Sequence, residues 1–152
     1  MKIEAISAAN LKPLTILMLQ LWPECSFEEE YENCRKMLHS QKETAMLAKT
    51  GTGLYAGFIS LSLRNDHVEG VRSSPAGYLE GIYVLPEFRK QGIGSRLLQA
   101  GEDWCQARGC REMGSDAEWS NTGSQTFHRK AGFNEVNRII CYHKSLTNHP
   151  SS

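Results

Sequence analysis

The stretch Tyr78-Leu79-Glu80-Gly81-Ile82-Tyr83-Val84-Leu85-Pro86-Glu87-Phe88-Arg89-Lys90-Gln91-Gly92-Ile93-Gly94-Ser95-Arg96-Leu97-Leu98 decides the fold. Its first seven residues are mostly apolar and β-prone, which predicts a buried strand. Pro86 has no N–H for a ladder, so the strand ends there. Beyond a basic, glycine-containing turn, Ile93, Leu97, Leu98, Gly101, Trp104 and Cys105 recur at helical spacing. Strand, basic glycine turn and helix together form an anion-binding arrangement. The first backbone N–H groups of a helix lack partners within it, and its dipole favours negative charge there. Gly92 and Gly94 let a phosphate approach the backbone closely, and Arg89 and Lys90 add positive charge at the mouth. A P-loop would need Gly-Lys-Ser/Thr at the helix start, and a dinucleotide fingerprint would need glycine where Leu97 stands. What remains is Arg89-x-x-Gly92-x-Gly94 behind an apolar strand. The simpler reading is an ordinary strand–turn–helix with a solvated basic patch.

At 152 residues the chain fits one domain, large enough to bury roughly two-thirds of its unfolded surface. Lys+Arg and Asp+Glu both number 17, and this zero net charge argues against a nucleic-acid partner. No run of 18 apolar residues exists to span a membrane, and Met1-Lys2-Ile3-Glu4-Ala5-Ile6 lacks the apolar core of a signal peptide. Five cysteines (Cys25, Cys34, Cys105, Cys110 and Cys141) show no Cys-x-x-Cys spacing. They read as reduced thiols of a cytoplasmic protein, buried as small hydrophobes and not gathered on a metal, so no metal is expected.

Residues 2–6 read as a strand. Asn10 is a plausible helix start, with Pro13 in the first turn and Leu11, Leu14, Leu17, Met18, Leu21 and Trp22 on one face up to Pro23. Ser26 and Glu29 form a capping box for a second helix carrying Phe27, Tyr31, Cys34 and Leu38. Glu24, Glu28, Glu29, Glu30 and Glu32 make its start acidic, either a solvated helix end or a rim that attracts cations. Residues 44–49 and 54–63 read as a hairpin around Gly51-Thr52-Gly53. Residues 64–76 form a polar loop of a length often used for binding. After the central strand and helix, Gly109 stops the helix and residues 112–117 form a short parallel strand. Asn121 opens a helix to Lys130, and residues 137–144 read as a last strand. Residues 1–146 are taken as one domain, with 147–152 a polar tail.

The order β-α-α-β-β-β-α-β-α-β, with the Arg89-to-Gly94 pattern and the helix from Asn121 to Ala131-Gly132-Phe133, resembles the GCN5-related N-acetyltransferase superfamily. Leu21-Trp22-Pro23, Ser74-Pro75 before Leu79-Glu80-Gly81-Ile82-Tyr83-Val84-Leu85-Pro86, Cys110-Arg111-Glu112 before Ser115-Asp116, and His128 before Gly132-Phe133 are similar to bacterial aminoglycoside 6′-N-acetyltransferases. The resemblance implies an α/β (α+β) single-domain fold: a mixed, mostly antiparallel sheet, splayed at the cofactor site and flanked by helices. It implies acetyl transfer from acetyl-CoA to an aminoglycoside 6′-amine by direct attack, and a homodimer.

An aliphatic amine near neutral pH is mostly ammonium, so the site needs a carboxylate to bind it and a base to take its proton. Glu80 lies in a strand otherwise suited to burial, where a carboxylate is costly unless paired. Asp116 ends the neighbouring parallel strand, at the sheet end where such folds bind ligands. The plainer readings are a structural partner for an arginine at Glu80 and a turn cap at Asp116. The resemblance gives Glu80 and Asp116 to the catalytic set, with Asp116 the first choice of base. Trp22, His67 and Asn137 join them on the substrate side. Trp22 would stack on a sugar; it also reads as a core aromatic at a helix end. His67 stands where relatives tend to carry tyrosine, and Asn137 where they can carry a carboxylate. On the acetyl-CoA side stand Ile82, Tyr83 and Val84, whose backbone would meet the pantetheine arm and the reacting carbonyl. Arg89, Lys90, Gln91, Gly92, Ile93, Gly94 and Ser95 would cradle the pyrophosphate, and Asn121 would bond the arm. His128 stands outside the catalytic set. The competing functions are a same-fold acetyltransferase acting on a polyamine or protein amine, and a non-catalytic acyl-CoA-binding domain. The second would be favoured by Glu80 and Asp116 both tied into internal ion pairs.

Overall fold

Five strands form one sheet in the order β1-β2-β3-β4-β5, in a computed structural model that describes residues 1–147. They are β1 (Lys2–Ala5), β2 (Glu43–Lys49), β3 (Tyr55–Arg64), β4 (Ala76–Val84) and β5 (Met113–Ser115). The first three pairings are antiparallel and β4–β5 is parallel. Helices α1 (Leu11–Leu21) and α2 (Phe27–Leu38) cover one face, and α3 (Ile93–Ala107) covers the other. The fourth helix, α4 (Thr122–Lys130), follows β5.

The strands are apolar on both faces where both faces are covered. In β2, Met46 and Ala48 face the α3 core, while Ala45 and Leu47 face α1 and α2. In β3, Ile59 and Leu61 pack toward α3, with Leu97 fully buried and Ile93 and Leu98 nearly so. Each such side chain contributes about 1.5–3 kcal/mol by leaving water. Helix α2 starts at the expected cap, where Ser26 Oγ accepts from Glu29 N–H at 3.2 Å; of the expected capping box only this half forms among the described residues. At α1, Asn10 is the N-cap residue and Pro13 sits in the first turn. Cys34, Cys105 and Cys110 are buried, and burial pushes the Cys34 thiol up to about 11 and Cys105 to about 12.

The expected strand over 137–144 is a correction. No strand forms there among the described residues; Ile139, Ile140 and Tyr142 are 76%, 79% and 90% exposed. A β-prone segment needs a partner edge to form a ladder. The neighbouring edge strand, β5, has three residues, all paired with β4. Of the expected tail, only Thr147 lies within the described residues.

Candidate active site

The site is built by a bulge and a fork in the sheet. Between Ser60 and Leu61 the β3–β4 register slips, so that Ser60 faces Gly81 and Leu61 faces Leu79, leaving Glu80 as the extra residue. The side-chain alternation shifts there. Leu79 and Ile82 both pack toward α3, while Glu80 and Gly81 both turn to the opposite face. On that face α1 and α2 leave a cleft of about 330 Å³, lined by Trp22, Glu30, Lys36, Glu43, Ser62 and Glu80 among others. A Cβ on Gly81 would lie 2.6 Å from Trp22 Cη2, so glycine is what lets the indole lie over the strand. Trp22 also meets the Phe58 ring at 6.1 Å, so it lies at the edge of the core as well as in the cleft wall.

Glu80 Oε1 accepts from the Ser62 hydroxyl at 2.8 Å and from Arg64 Nη2 at 2.7 Å. Oε2 carries no bond among the described residues and the side chain is 35% exposed, which leaves an oxygen for a ligand cation. The arginine partner expected of the plainer reading is therefore present, without consuming the carboxylate. Arg64 lies 3.5 Å over the Tyr78 ring, and the Tyr78 hydroxyl donates to Asp116 Oδ2. Burial, then the Asp116 bond, push the Tyr78 phenol well above its ordinary range. Asp116 is exposed and bonds a neutral phenol; it has no ion pair among the described residues. The condition that would favour a non-catalytic domain is thus met at Glu80 only.

His67 and Asn137 come together through Glu69: His67 Nε2 lies 3.3 Å from one oxygen, and Asn137 Nδ2 donates to the other at 3.0 Å. His67 shares a shallow recess with Arg64. Glu135 is committed to Arg138. Glu112 Oε1 accepts from the backbone N–H of Arg72 and Ser73 and from the Ser73 hydroxyl, pinning loop 65–75 to the start of β5.

The fork lies next to this cleft. The β4–β5 ladder stops at Leu79 and Ser115, so Glu80 to Val84 have no strand on that side. Leu85 N–H donates to Ala56 on β3, and antiparallel alternation then turns the Ile82 and Val84 backbone groups to the open edge while Tyr83 serves β3. Val84 carbonyl accepts from Arg89 Nε at 2.8 Å, so Arg89 braces the end of the strand. The edge leads to the start of α3. Gly92 is its N-cap with φ +81° and offers no side chain to the first-turn N–H groups of Ile93, Gly94 and Ser95. The two glycines serve different needs. A Cβ on Gly92 would meet nothing within 4 Å, so its backbone angle is the requirement; at Gly94 a Cβ would lie 3.3 Å from Phe127 on α4. Lys90, with φ +62°, and Gln91 complete the mouth. Open edge, uncapped helix start and basic turn suit a long thiol cofactor ending in phosphates.

Asn121 caps α4, accepting from Ser124 N–H at 3.0 Å. His128 Nδ1 donates to the Ser124 carbonyl at 2.7 Å, and Nε2 hydrogen-bonds the Ser115 hydroxyl at 2.7 Å. His128 ties α4 to β5. Sequence reasoning missed Glu43, Ser62, Arg64 and Tyr78. A signal existed for two of them: Ser60, Ser62 and Arg64 alternate with Ile59, Leu61 and Leu63, marking a polar face on an otherwise buried strand.

The family model described as the acetyltransferase (GNAT) family matches residues 8–133, and the chain belongs to that family. It is 37% identical to an aminoglycoside N(6′)-acetyltransferase type 1 of Serratia marcescens, over 90% of this chain and 94% of that one. Among solved structures, AAC(6′)-Iy in complex with the bisubstrate analog CoA-S-monomethyl-acetylneamine superposes with a TM-score of 0.90 at 36% identity, covering 95% of this chain and 97% of that one. The apo 6′-N-acetyltransferase AAC(6′)-IG from Acinetobacter haemolyticus superposes equally well, TM-score 0.90 at 31% identity, over 97% and 100% of the two chains.

Proposed function

We propose that this chain transfers the acetyl group of acetyl-CoA to the 6′-amine of aminoglycoside antibiotics, as its relatives' names describe, and so confers resistance to them. The observation that supports it best is the junction of two features: the acid-lined cleft at Glu80 meets the open edge of β4, which runs to the start of α3. Both reactants can be held side by side, so attack is direct, in a ternary complex.

Acetyl-CoA brings the acetyl group as an activated thioester. Ile82, Tyr83 and Val84 line its arm, Arg89 to Ser95 receive its phosphates, and Asn121 flanks the arm. Glu80 Oε2 binds an ammonium of the acceptor, with Glu30 and Glu43 adding negative charge to the cleft. Asp116 takes the proton of the attacking amine, directly or through water. Trp22 offers a sugar-stacking wall, and His67 and Asn137, joined by Glu69, form the outer rim.

The enzyme is a homodimer in this reading. Val136, Ile139, Ile140, Tyr142 and Leu146 are exposed along one β-prone stretch, as an unpartnered strand would be. Residues 1–146 are the catalytic domain, ahead of a polar tail. Free thiols suit a reducing cytoplasm. Among the described residues, no helix is long and apolar enough to cross a membrane.

The test is a steady-state screen of acetyl-CoA turnover with kanamycin, tobramycin, spermidine and a lysine peptide. Selective turnover of the aminoglycosides is expected. Preference for spermidine or the peptide would move the assignment to another amine, and no turnover with any of them would favour a binding domain.

A further inference from the structure

We propose that Tyr78 is a positioning residue for acetyl transfer: its hydroxyl holds Asp116 in place, and its ring carries Arg64, which in turn holds Glu80. The inference rests on the reading of Asp116 as proton acceptor given above.

Tyr78 stands on β4 opposite Gly114 of β5, within the short parallel ladder. It is only 9% exposed and forms a small core with Val68 and Ala76, against which Val71 packs. That packing fixes the ring, and so fixes where the phenol oxygen points. The oxygen meets Asp116 Oδ2, just beyond the last residue of β5. Asp116 is itself exposed and on a loop, so this hydroxyl is the one side-chain group that restrains it among the described residues.

The charged groups around the phenol are Asp116 beyond β5, Arg64 at the end of β3 and Glu80 on β4. From α4, His128 meets Ser115, the residue before Asp116. The Arg64 guanidinium lies 3.5 Å from the ring centre and 2.7 Å from Glu80 Oε1. One buried ring thus supports both acceptor-side carboxylates. Burial keeps the phenol a neutral donor well above neutral pH. A neutral donor fixes the direction of the carboxylate, which is what an amine-deprotonating base at a loop end lacks.

Tyr78→Phe tests this, because phenylalanine keeps the ring under Val68 and Arg64 and removes only the hydroxyl. Rates are measured at neutral pH over a range of aminoglycoside concentrations, so that kcat and KM are read separately. Expected is a fall in kcat of roughly tenfold from lost alignment. The aminoglycoside KM should change less than kcat, because phenylalanine keeps the ring that carries Arg64 and, through it, Glu80. Acetyl-CoA affinity should stay as in the wild type. In an Asp116→Asn background the same substitution should cost nothing more, because its partner in catalysis is already gone. A loss confined to KM, or an equal loss in both backgrounds, overturns the proposal and leaves Tyr78 a core residue. The two failures are separable. Full turnover by Asp116→Asn alone would sink the assignment of the base, and this inference with it. A collapsed Asp116→Asn beside a wild-type Tyr78→Phe would sink this inference alone.

Discussion

The Ser62 hydroxyl donates to Glu80 Oε1 at 2.8 Å, at the bulge where the β3–β4 register slips. The bulge turns two consecutive residues, Glu80 and Gly81, to the cleft face, so a carboxylate enters the cleft without breaking the Leu79–Ile82 packing behind it. Bulges next to active sites commonly re-aim a side chain in this way.

Replacing Glu80 by glutamine keeps the Ser62 bond and removes the negative charge. If Glu80 binds an acceptor ammonium in both ground and transition states, its loss appears mainly in KM. The aminoglycoside KM should rise by about tenfold, or about 1.4 kcal/mol, more than kcat falls, with acetyl-CoA affinity unchanged. A variant with wild-type KM would detach Glu80 from substrate binding.

Gly81→Ala probes the cleft wall. The new Cβ would sit 2.6 Å from Trp22 Cη2 and 3.0 Å from Leu21 Cδ2, so the indole must move. Overpacking of this kind costs about 1–3 kcal/mol, read as a lower unfolding midpoint in denaturant. Aminoglycoside KM should rise while acetyl-CoA titrates normally. A variant as stable as the wild type, with the same KM, would show that Trp22 does not need its place over the strand.

Local chemistry made the individual elements legible: Ser26 as a cap, the apolar runs of β2 and β3, Pro86 ending β4, the glycines around α3. Glu80 and Asp116 were legible because a carboxylate in or at the end of a buried strand needs a reason. What the sequence hid depends on register. Nothing local marks Glu80 as a bulge residue, so the pairing with Ser62 and Arg64 could not be read. Tyr78 looked like core, which it is; its hydroxyl reaches Asp116 only because β4 and β5 are parallel neighbours in that alignment. Residues 137–144 read as a strand because β propensity describes a surface that suits pairing and does not supply the partner.

Loop 65–75 should loosen with acid. The Ser73 hydroxyl, with the backbone N–H groups of Arg72 and Ser73, holds the Glu112 carboxyl below the ordinary carboxylate range. A depressed folded-state value contributes stability that is fully present above the unfolded value of about 4.3 and is lost as pH falls through the folded one. Glu112→Gln keeps an acceptor and removes the charge. Its melting temperature should lie furthest below the wild type near pH 7 and converge with it below about pH 4. A gap that stays constant across this range would mean the clamp is not electrostatic.

The decisive variant for the cofactor side is Gly92→Val, with Gly109 as its control. Both glycines flank α3, have φ of +81° and +85°, and have open space where a Cβ would go. A side chain at either position therefore strains the backbone by a similar amount, about 1–3 kcal/mol for a residue in this sparsely populated region. Only Gly92 lies at the end of the helix where the first N–H groups are free to meet phosphates. A branched side chain there also occupies the space into which a phosphate must come. Calorimetric titration should show acetyl-CoA affinity falling by at least about tenfold in Gly92→Val, about 1.4 kcal/mol. Gly109→Val should lose comparable stability and bind acetyl-CoA as the wild type does. Equal affinities in both variants would show that phosphates do not sit at the start of α3, and the cofactor assignment from Arg89 to Ser95 would fall.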